Sequence, residues 1–256
     1  MSDYLGYFFS YAYDLPDDVK RFEYFGPWHL FWLFLLAGLC LVLCPLFRKI
    51  PESKQIKAGR TLSVCIIILE ICNDCILIWL GEFGVQYLPL HLCSISMFIC
   101  LIHAFTGADW AGQVLYSICI PGAAAALLFP GWRQCPALNY ECIHSFLLHD
   151  LLILYPVTAL AAGRIKPRMK SIYKPLLYLL AVSIPLYFLN HIWGTNFMFI
   201  NWPMSDSPLE WIASFMGNPG YLAGYAVLVV CIVFIMYIPA EIARNITRKK
   251  RLNKQS

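Results

Sequence analysis

Arg48-Lys49-Ile-Pro-Glu-Ser-Lys54-Gln-Ile-Lys57-Ala-Gly-Arg60 puts five cations into thirteen residues, with apolar runs at 27–47 and 60–80 on either side. Each run is long enough to cross about 30 Å of hydrocarbon as a helix. A basic link between two such runs is what the positive-inside rule leaves on the cytoplasmic face. The pattern recurs twice. Arg164, Lys166, Arg168, Lys170 and Lys174 form a second block, and Arg244, Arg248, Lys249, Lys250, Arg251 and Lys254 a third. Sixteen of the nineteen Lys and Arg residues fall in these three stretches, and only Lys20, Arg21 and Arg133 lie elsewhere. A soluble surface scatters its charges; a chain threaded through a bilayer sorts them.

Composition agrees. The chain is 60% hydrophobic and 13% charged, against roughly 45–50% and 25% in a soluble domain. Seven spans are expected, at 27–47, 60–80, 88–107, 111–129, 142–163, 172–190 and 219–240. They are helical because hydrocarbon offers backbone amides no other partner. The fold class is therefore all-α: a polytopic seven-helix bundle of the cell membrane, N-terminus out and C-terminus in, so that all three basic blocks share one face. Residues 1–26 read as an interfacial segment, 27–240 as the transmembrane domain and 241–256 as a basic cytoplasmic tail. Tyr4, Tyr7, Phe8, Phe9, Tyr11 and Tyr13 supply belt aromatics, and Asp14-Leu-Pro-Asp resembles a helix start. The acidic, aromatic opening is not that of a cleavable signal peptide. Gly122-Ala-Ala-Ala-Ala126 is a small-residue face suited to close helix packing. The sequence has no repeat of the inverted-transporter kind.

Laid over this topology, the polar residues collect in the outer half. Glu70, Asn73 and Asp74 share one face of the second span at i, i+3, i+4. His91 and Cys93 open the third, His144, His149 and Asp150 the fifth, and Asn190 and His191 close the sixth. Ionisable groups at such depth mark function by default. For His144, His191 and Glu82 an ordinary hydrogen bond or a snorkelled side chain is the simpler reading. His103, nearer the inner end, reads as structural, and no second His pair exists to hold a haem with His91 and His103. Most of the eleven cysteines lie in spans, where Cys behaves as a small hydrophobe. Cys72-Asn-Asp-Cys75 sits within a helix, which weakens it as a redox or metal motif. Cys135 and Cys142 would pair only in an oxidising compartment, and free thiols are expected. The last span offers no lysine for a retinal Schiff base.

Leu88-Pro-Leu-His-Leu-Cys93-Ser-Ile-Ser, Gly122 through Pro130, His144 to Asp150 and Asn190-His-Ile-Trp-Gly-Thr-Asn-Phe-Met-Phe-Ile200 together resemble the bacterial YwaF-type integral membrane proteins. These are similar to the animal transmembrane protein 164 family, described as cysteine-centred lipid acyltransferases acting on ether phospholipids. That group in turn resembles small membrane hydrolases of lipid esters. The resemblance implies a site on the outer side, with His91 matching the family histidine. In the animal motif the reactive cysteine directly precedes that histidine; here Leu90 holds its place and Cys93 follows one helical turn later.

Three functions follow as alternatives. The first is a lipid acyltransferase or ester hydrolase, in which Cys93 or Ser94 attacks, His149 or His91 is the base, and Asp74, Asp150 or Asn73 orients the imidazole. The second is a zinc hydrolase using His91, His149, Asp74 and His144. The third is a binder or transporter of a polar solute or lipid, with loop 191–218 as a lid. The catalytic candidates are thus His91, Cys93, His149, Asp150 and Asp74. Glu70, Asn73, Asn190 and Asn196 are the substrate-binding candidates. No cofactor is called for, membrane lipids are the expected partners, and nucleic acid is not.

Overall fold

A computed structural model of the chain describes residues 7–10 and 15–252, and side chains to residue 246. Tyr4, Tyr11, Tyr13, Asp14 and the side chains of the third basic block from Arg248 onward lie outside the described residues.

Among the described residues every regular element is helical. Helix α1 spans Pro27–Lys49, with Pro27 at its first turn, where a missing N–H costs nothing. Ile50 and Pro51 interrupt it, and α2 (Glu52–Leu80) starts at once. The second helix thus begins eight residues before the expected span, so Lys54, Lys57 and Arg60 ride on its first turns instead of in a loop. Pro51 forces a break before it and leaves nothing to delay the next helix. Helix α3 is Leu92–Thr106, and α4 runs over Asp109–Leu128 with a π-helical stretch at Leu115–Cys119. Helix α5 is Tyr140–Ala161, α6 Tyr173–Trp193, α7 the short Pro208–Met216 and α8 Tyr221–Leu252.

Six of these (α1, α2, α4, α5, α6 and α8) have the length and apolar composition to cross a membrane. The seventh expected span is shorter than its hydrophobicity suggests. Pro89 lacks an N–H, Leu88 and His91 are extended, and a short 3-10 turn occupies Val85–Tyr87. The helix therefore begins only at Leu92, and its 15 residues reach about 22 Å at 1.5 Å per residue.

Burial separates centre from rim. In α4 and α5, 61% and 67% of the apolar window is buried, against 6% to 17% in the other four long helices. Phe34, Leu41, Trp79 and Ile192 on the rim are 71–76% exposed, as a wall against lipid tails requires. Lipid gives helices no hydrophobic reason to associate, so close packing and interhelical hydrogen bonds must hold them together. A Cβ placed on Gly122 would lie 3.1 Å from Leu92 Cδ2, which explains the small residue where α4 meets α3. His29, fully buried, places Nε2 2.7 Å from the Leu127 carbonyl while its Nδ1 accepts from Phe25 N–H, tying the start of α1 to the end of α4. Tyr116 donates to the Met236 carbonyl at 2.5 Å and Tyr237 to Gln113 Oε1 at 2.9 Å, fastening α8 to α4.

The first two basic blocks meet at one end of the bundle. Arg48 Nε donates to the Ala161 carbonyl, Arg60 Nε to that of Ala104, and Arg168 and Lys174 both grip Asp109. Gln113 bridges Asp109 and the Lys166 carbonyl. The polar residues at issue lie toward the other end.

Candidate functional site

Asn139 organises the site. It caps α5 by accepting the Glu141 N–H at 2.9 Å, and its amide donates to the carbonyls of Tyr7 (2.9 Å) and Ser10 (2.8 Å). Tyr140 N–H adds a bond to the Phe8 carbonyl. A segment 129 to 132 residues away in sequence is thereby clamped over the start of α5. Phe9 packs edge-on against Trp79 and also meets the Tyr140 ring.

Beneath this clamp lies a cavity of about 180 Å³ between α2 and α5, with Glu70, Asn73, Tyr87, Glu141, His144 and Ser145 among its walls. Its defining contact is His144 Nε2 to Glu70 Oε2 at 3.4 Å, between side chains only 7% and 15% exposed. Neither atom has a partner with hydrogen-bond geometry. The Tyr140 ring stacks on His144 at 5.8 Å. A buried carboxylate and imidazole facing a cavity can exchange a proton with whatever enters it. His144, discounted in the sequence for its place near a helix end, is therefore part of this constellation with Glu70 and Asn73.

The other candidates divide. His149 is buried, with Nδ1 2.6 Å from the Ser145 carbonyl, and stacks on Trp132. If Nδ1 carries the proton, the Nε2 lone pair is free. His149 is close enough to both His144 and His91 for their charges to interact. Cys93 is half-buried against the main core, within range of the charge on Glu70, but it does not line the cavity. Asp74 also lies near Glu70 without lining the cavity. Asp150 is buried with both carboxylate oxygens unpartnered, near Cys40 of α1. The adjacent positions of His149 and Asp150 send them to different neighbours, as about 100° of helical rotation demands. Among the described residues no group of three or more His, Cys, Asp or Glu side chains is arranged to hold a metal ion.

Asn190 and Asn196 serve the backbone. Asn190, fully buried, accepts from Thr195 Oγ1 and Phe197 N–H and donates to the Phe197 carbonyl. Asn196 accepts from Asn201 and Trp202 N–H and donates to the Trp202 carbonyl. Together they shape a turn in which Met198 and Phe199 have φ of 57° and 55°. Tyr221 and Tyr225 donate to the carbonyls of Phe199 and Met198. The turn presents Phe197 and Phe199 to the His91 ring at 5.3 and 5.6 Å. Leu90 packs with the apolar cluster of Leu186, Phe197, Met198 and Ile200.

Cys135 and Cys142 are both free thiols. Cys135 donates to Glu141 Oε2 at 3.3 Å, and burial, reinforced by the Glu141 charge, pushes its thiol well above the ordinary range.

Sequence reasoning passed over Asn139 and Tyr140. The available signal was an N-cap residue with an acid two positions later; the clamp itself is long-range and leaves no local trace.

Searches of curated proteins and of solved structures each gave no match to this chain. The model of one family does match, over residues 24–237, a stretch running from the approach to α1 to the interior of α8. The chain is a multi-pass membrane protein and belongs to the TMEM164 family.

Proposed function

We propose that this chain crosses the membrane seven times, N-terminus outside, and acts on the ester-linked acyl group of a membrane lipid from a polar site in its outer half. Helix α3 makes the third crossing together with the irregular segment 85–91, which lies at its outer end. The buried Glu70–His144 pair facing the cavity carries the reading. An amphiphile with its tails along the apolar rim would bring its ester region to that pair.

In this reading the pair handles the proton while Cys93 takes the acyl group. The thiol sulfur bonds to the ester carbonyl carbon, and the carbon–oxygen bond to glycerol breaks. The thiol proton passes through an imidazole to the departing glycerol oxygen. A hydroxyl of a second lipid, or water, then attacks the thioester and its proton returns to sulfur. His149 or His91 passes the proton between sulfur and the Glu70–His144 pair, which delivers it to the glycerol oxygen, and Asn73 steadies the ester.

One observation favours a second reading. Cys93 stands off the cavity wall, which is rich in carboxylates and amides and suits reversible binding of a polar group. Purified protein in vesicles holding a phospholipid with a labelled acyl chain separates the two. Wild type should transfer or release the label, while Glu70→Gln, His144→Gln and Cys93→Ala should each fall at least about tenfold, as removal of a proton-transfer group does. Loss with Glu70→Gln but not with Cys93→Ala would replace the thioester route by direct attack of water or hydroxyl. Turnover that ignores all three substitutions would sink the enzymatic reading and leave the binder. Accessibility of single cysteines in loops 81–91 and 194–207 to an impermeant reagent tests the orientation; labelling only from the cytoplasmic side would reverse it.

A further inference from the structure

Helix α7 (Pro208–Met216) has nine residues, too few to cross a membrane, and joins two helices long enough to do so. Its start fixes how it is turned: Ser207 Oγ accepts the Leu209 N–H at 3.2 Å, and Glu210 Oε2 accepts the Asp206 N–H at 2.6 Å. At about 100° per residue, its side chains fall into three stripes roughly a third of a turn apart. Leu209 and Ile212 are buried. Their stripe faces α8, where a Cβ on Gly224 would lie 2.6 Å from Ile212 Cγ2 and 2.9 Å from Met216 Sδ. Glu210 and Ser214 form a second stripe, exposed and polar. Trp211 and Phe215, one turn apart, form the third; they are 70% and 63% exposed, and their rings meet edge-on at 5.2 Å.

The neighbours of α7 set its depth. Helix α6 starts beside Lys174, which grips Asp109 at the basic end, and its 21 residues rise about 31 Å, the thickness of the hydrocarbon core. Helix α8 returns over the same distance. Tyr221 in its first turn bonds to the Phe199 carbonyl, and Tyr237 reaches Gln113 beside Asp109. Gly224 also belongs to the first turn of α8, so α7 lies alongside that turn, level with the ends of two spans. The surfaces it joins are bare and apolar: Ile192 and Trp193 end α6, and Val227 follows on α8, all exposed. Trp211 and Phe215 continue this lipid-facing rim to the level where hydrocarbon gives way to headgroups. Tryptophan concentrates at that level because its apolar ring carries one N–H. A helix with an apolar stripe beside a polar one is stable lying in the plane of the interface.

We propose that α7 lies in the membrane interface at the end of the bundle remote from the first two basic blocks, with Trp211 and Phe215 seated among the acyl chains just below the headgroups and Glu210 and Ser214 in the headgroup water. The partner of the aromatic face is the phospholipid of the surrounding bilayer. Its attachment bears on the turn beside His91. Asn218 Nδ2, just past α7, donates to the Asn201 carbonyl at 3.1 Å, and Asn201 Nδ2 donates to that of Thr195 at 2.9 Å. A helix held by lipid thus steadies the segment that presents Phe197 and Phe199 to His91. The placement is independent of the chemistry proposed for the cavity.

The test is tryptophan fluorescence of the full chain in phosphatidylcholine vesicles whose acyl chains carry bromine either near the headgroup or near the terminal methyl, with acrylamide as the aqueous quencher. Subtracting the emission of Trp211→Phe from that of wild type isolates Trp211 among the eight tryptophans. The difference should be quenched at least about twofold more by the shallow bromines than by the deep ones, as a depth of about 5–10 Å requires. In Trp211→Phe/Ser214→Trp the indole moves to the polar stripe, and acrylamide should quench it at least about twofold more than it quenches Trp211. Deep bromines quenching Trp211 as well as shallow ones would overturn the interfacial placement. Quenching of Trp211 by acrylamide alone would overturn it by putting α7 in water. Protection from acrylamide and both lipids would overturn it by showing that protein, such as a second copy of the chain, covers the face. Should Trp211→Phe not fold, Phe215→Trp decides the same question: the emission it adds should follow the shallow bromines, and emission that ignores them overturns the proposal.

Discussion

Asn139→Ala should loosen the cavity and the protein together. The side chain is 2% exposed and makes three hydrogen bonds at 2.8–2.9 Å, one capping α5 and two holding residues 7–10. A lost N-cap costs about 1 kcal/mol, and each side-chain bond to backbone contributes about 1 kcal/mol net. The sum, about 3 kcal/mol, corresponds to a fall in Tm of roughly 6–12 °C for a chain of this length. Asn139→Ser separates the contributions, because serine caps a helix nearly as well but cannot reach the Tyr7 and Ser10 carbonyls. It should lose about 2 kcal/mol, roughly 4–8 °C. Thermal unfolding in detergent gives the stability. Thiol labelling of a Ser10→Cys reporter gives release of the clamp, which both variants should accelerate. If both variants melt within about 2 °C of wild type, or the reporter reacts no faster, the amide is not what holds residues 7–10 over α5.

Gly224→Ala should destabilise by about 1–3 kcal/mol through overpacking, since its Cβ would fall 2.6 Å from Ile212 Cγ2 and push α7 off α8; Gly112→Ala, with nothing nearer than 3.5 Å, should be neutral or slightly stabilising in the same melt. Asp109→Asn should lower stability by only about 1 kcal/mol, because its partners Arg168 and Lys174 are partly exposed, and the loss should shrink in high salt. For Cys135 the folded thiol's pKa is raised by burial, so its contribution is intact below the unfolded value of about 8.5 and declines as pH rises above it, when the unfolded chain sheds the proton first. Stability measured from pH 7 to 10 should therefore fall less steeply in Cys135→Ala than in wild type.

How much of this was legible depends on the dimension of the problem. A bilayer sorts residues along one axis, so apolar run length led directly to six of the helices. Rotation about each helix and contacts across the chain are not written along that axis. His144 sits one turn into α5, where a histidine commonly snorkels; only the approach of α2 turns it toward Glu70. Asp74 lies one turn from Glu70 yet stays off the cavity wall, because α2 lines it with the stripe Glu70, Asn73, Leu77 and Leu80, from which position 74 is turned away. Helix α3 came out short because Pro89 and the extended His91 outweigh an apolar pattern that continues through them.

The outer turn gives Asn190 and Asn196 a structural duty that residue type alone did not disclose. Left-handed backbone at Met198 and Phe199 costs of order 1–3 kcal/mol per residue, and neither Met nor Phe favours it. Asn190 offsets that strain with three hydrogen bonds, and Tyr221 and Tyr225 add one each from α8. Asn196 fixes the following chain by binding Asn201 and Trp202. The reward is placement: Phe197 and Phe199 close on His91, and Leu90 is sealed into the apolar cluster beside them. Both amide oxygens and one N–H of each amide are committed to this backbone, which gives the Asn-x-x-x-x-Thr-Asn-Phe-Met-Phe string a structural duty. Among the candidates, unengaged polar atoms remain on Glu70 and His144 at the cavity, and on Asp150, Cys93 and the imidazole of His91 away from it. Leu90, packed against that apolar cluster, contributes packing.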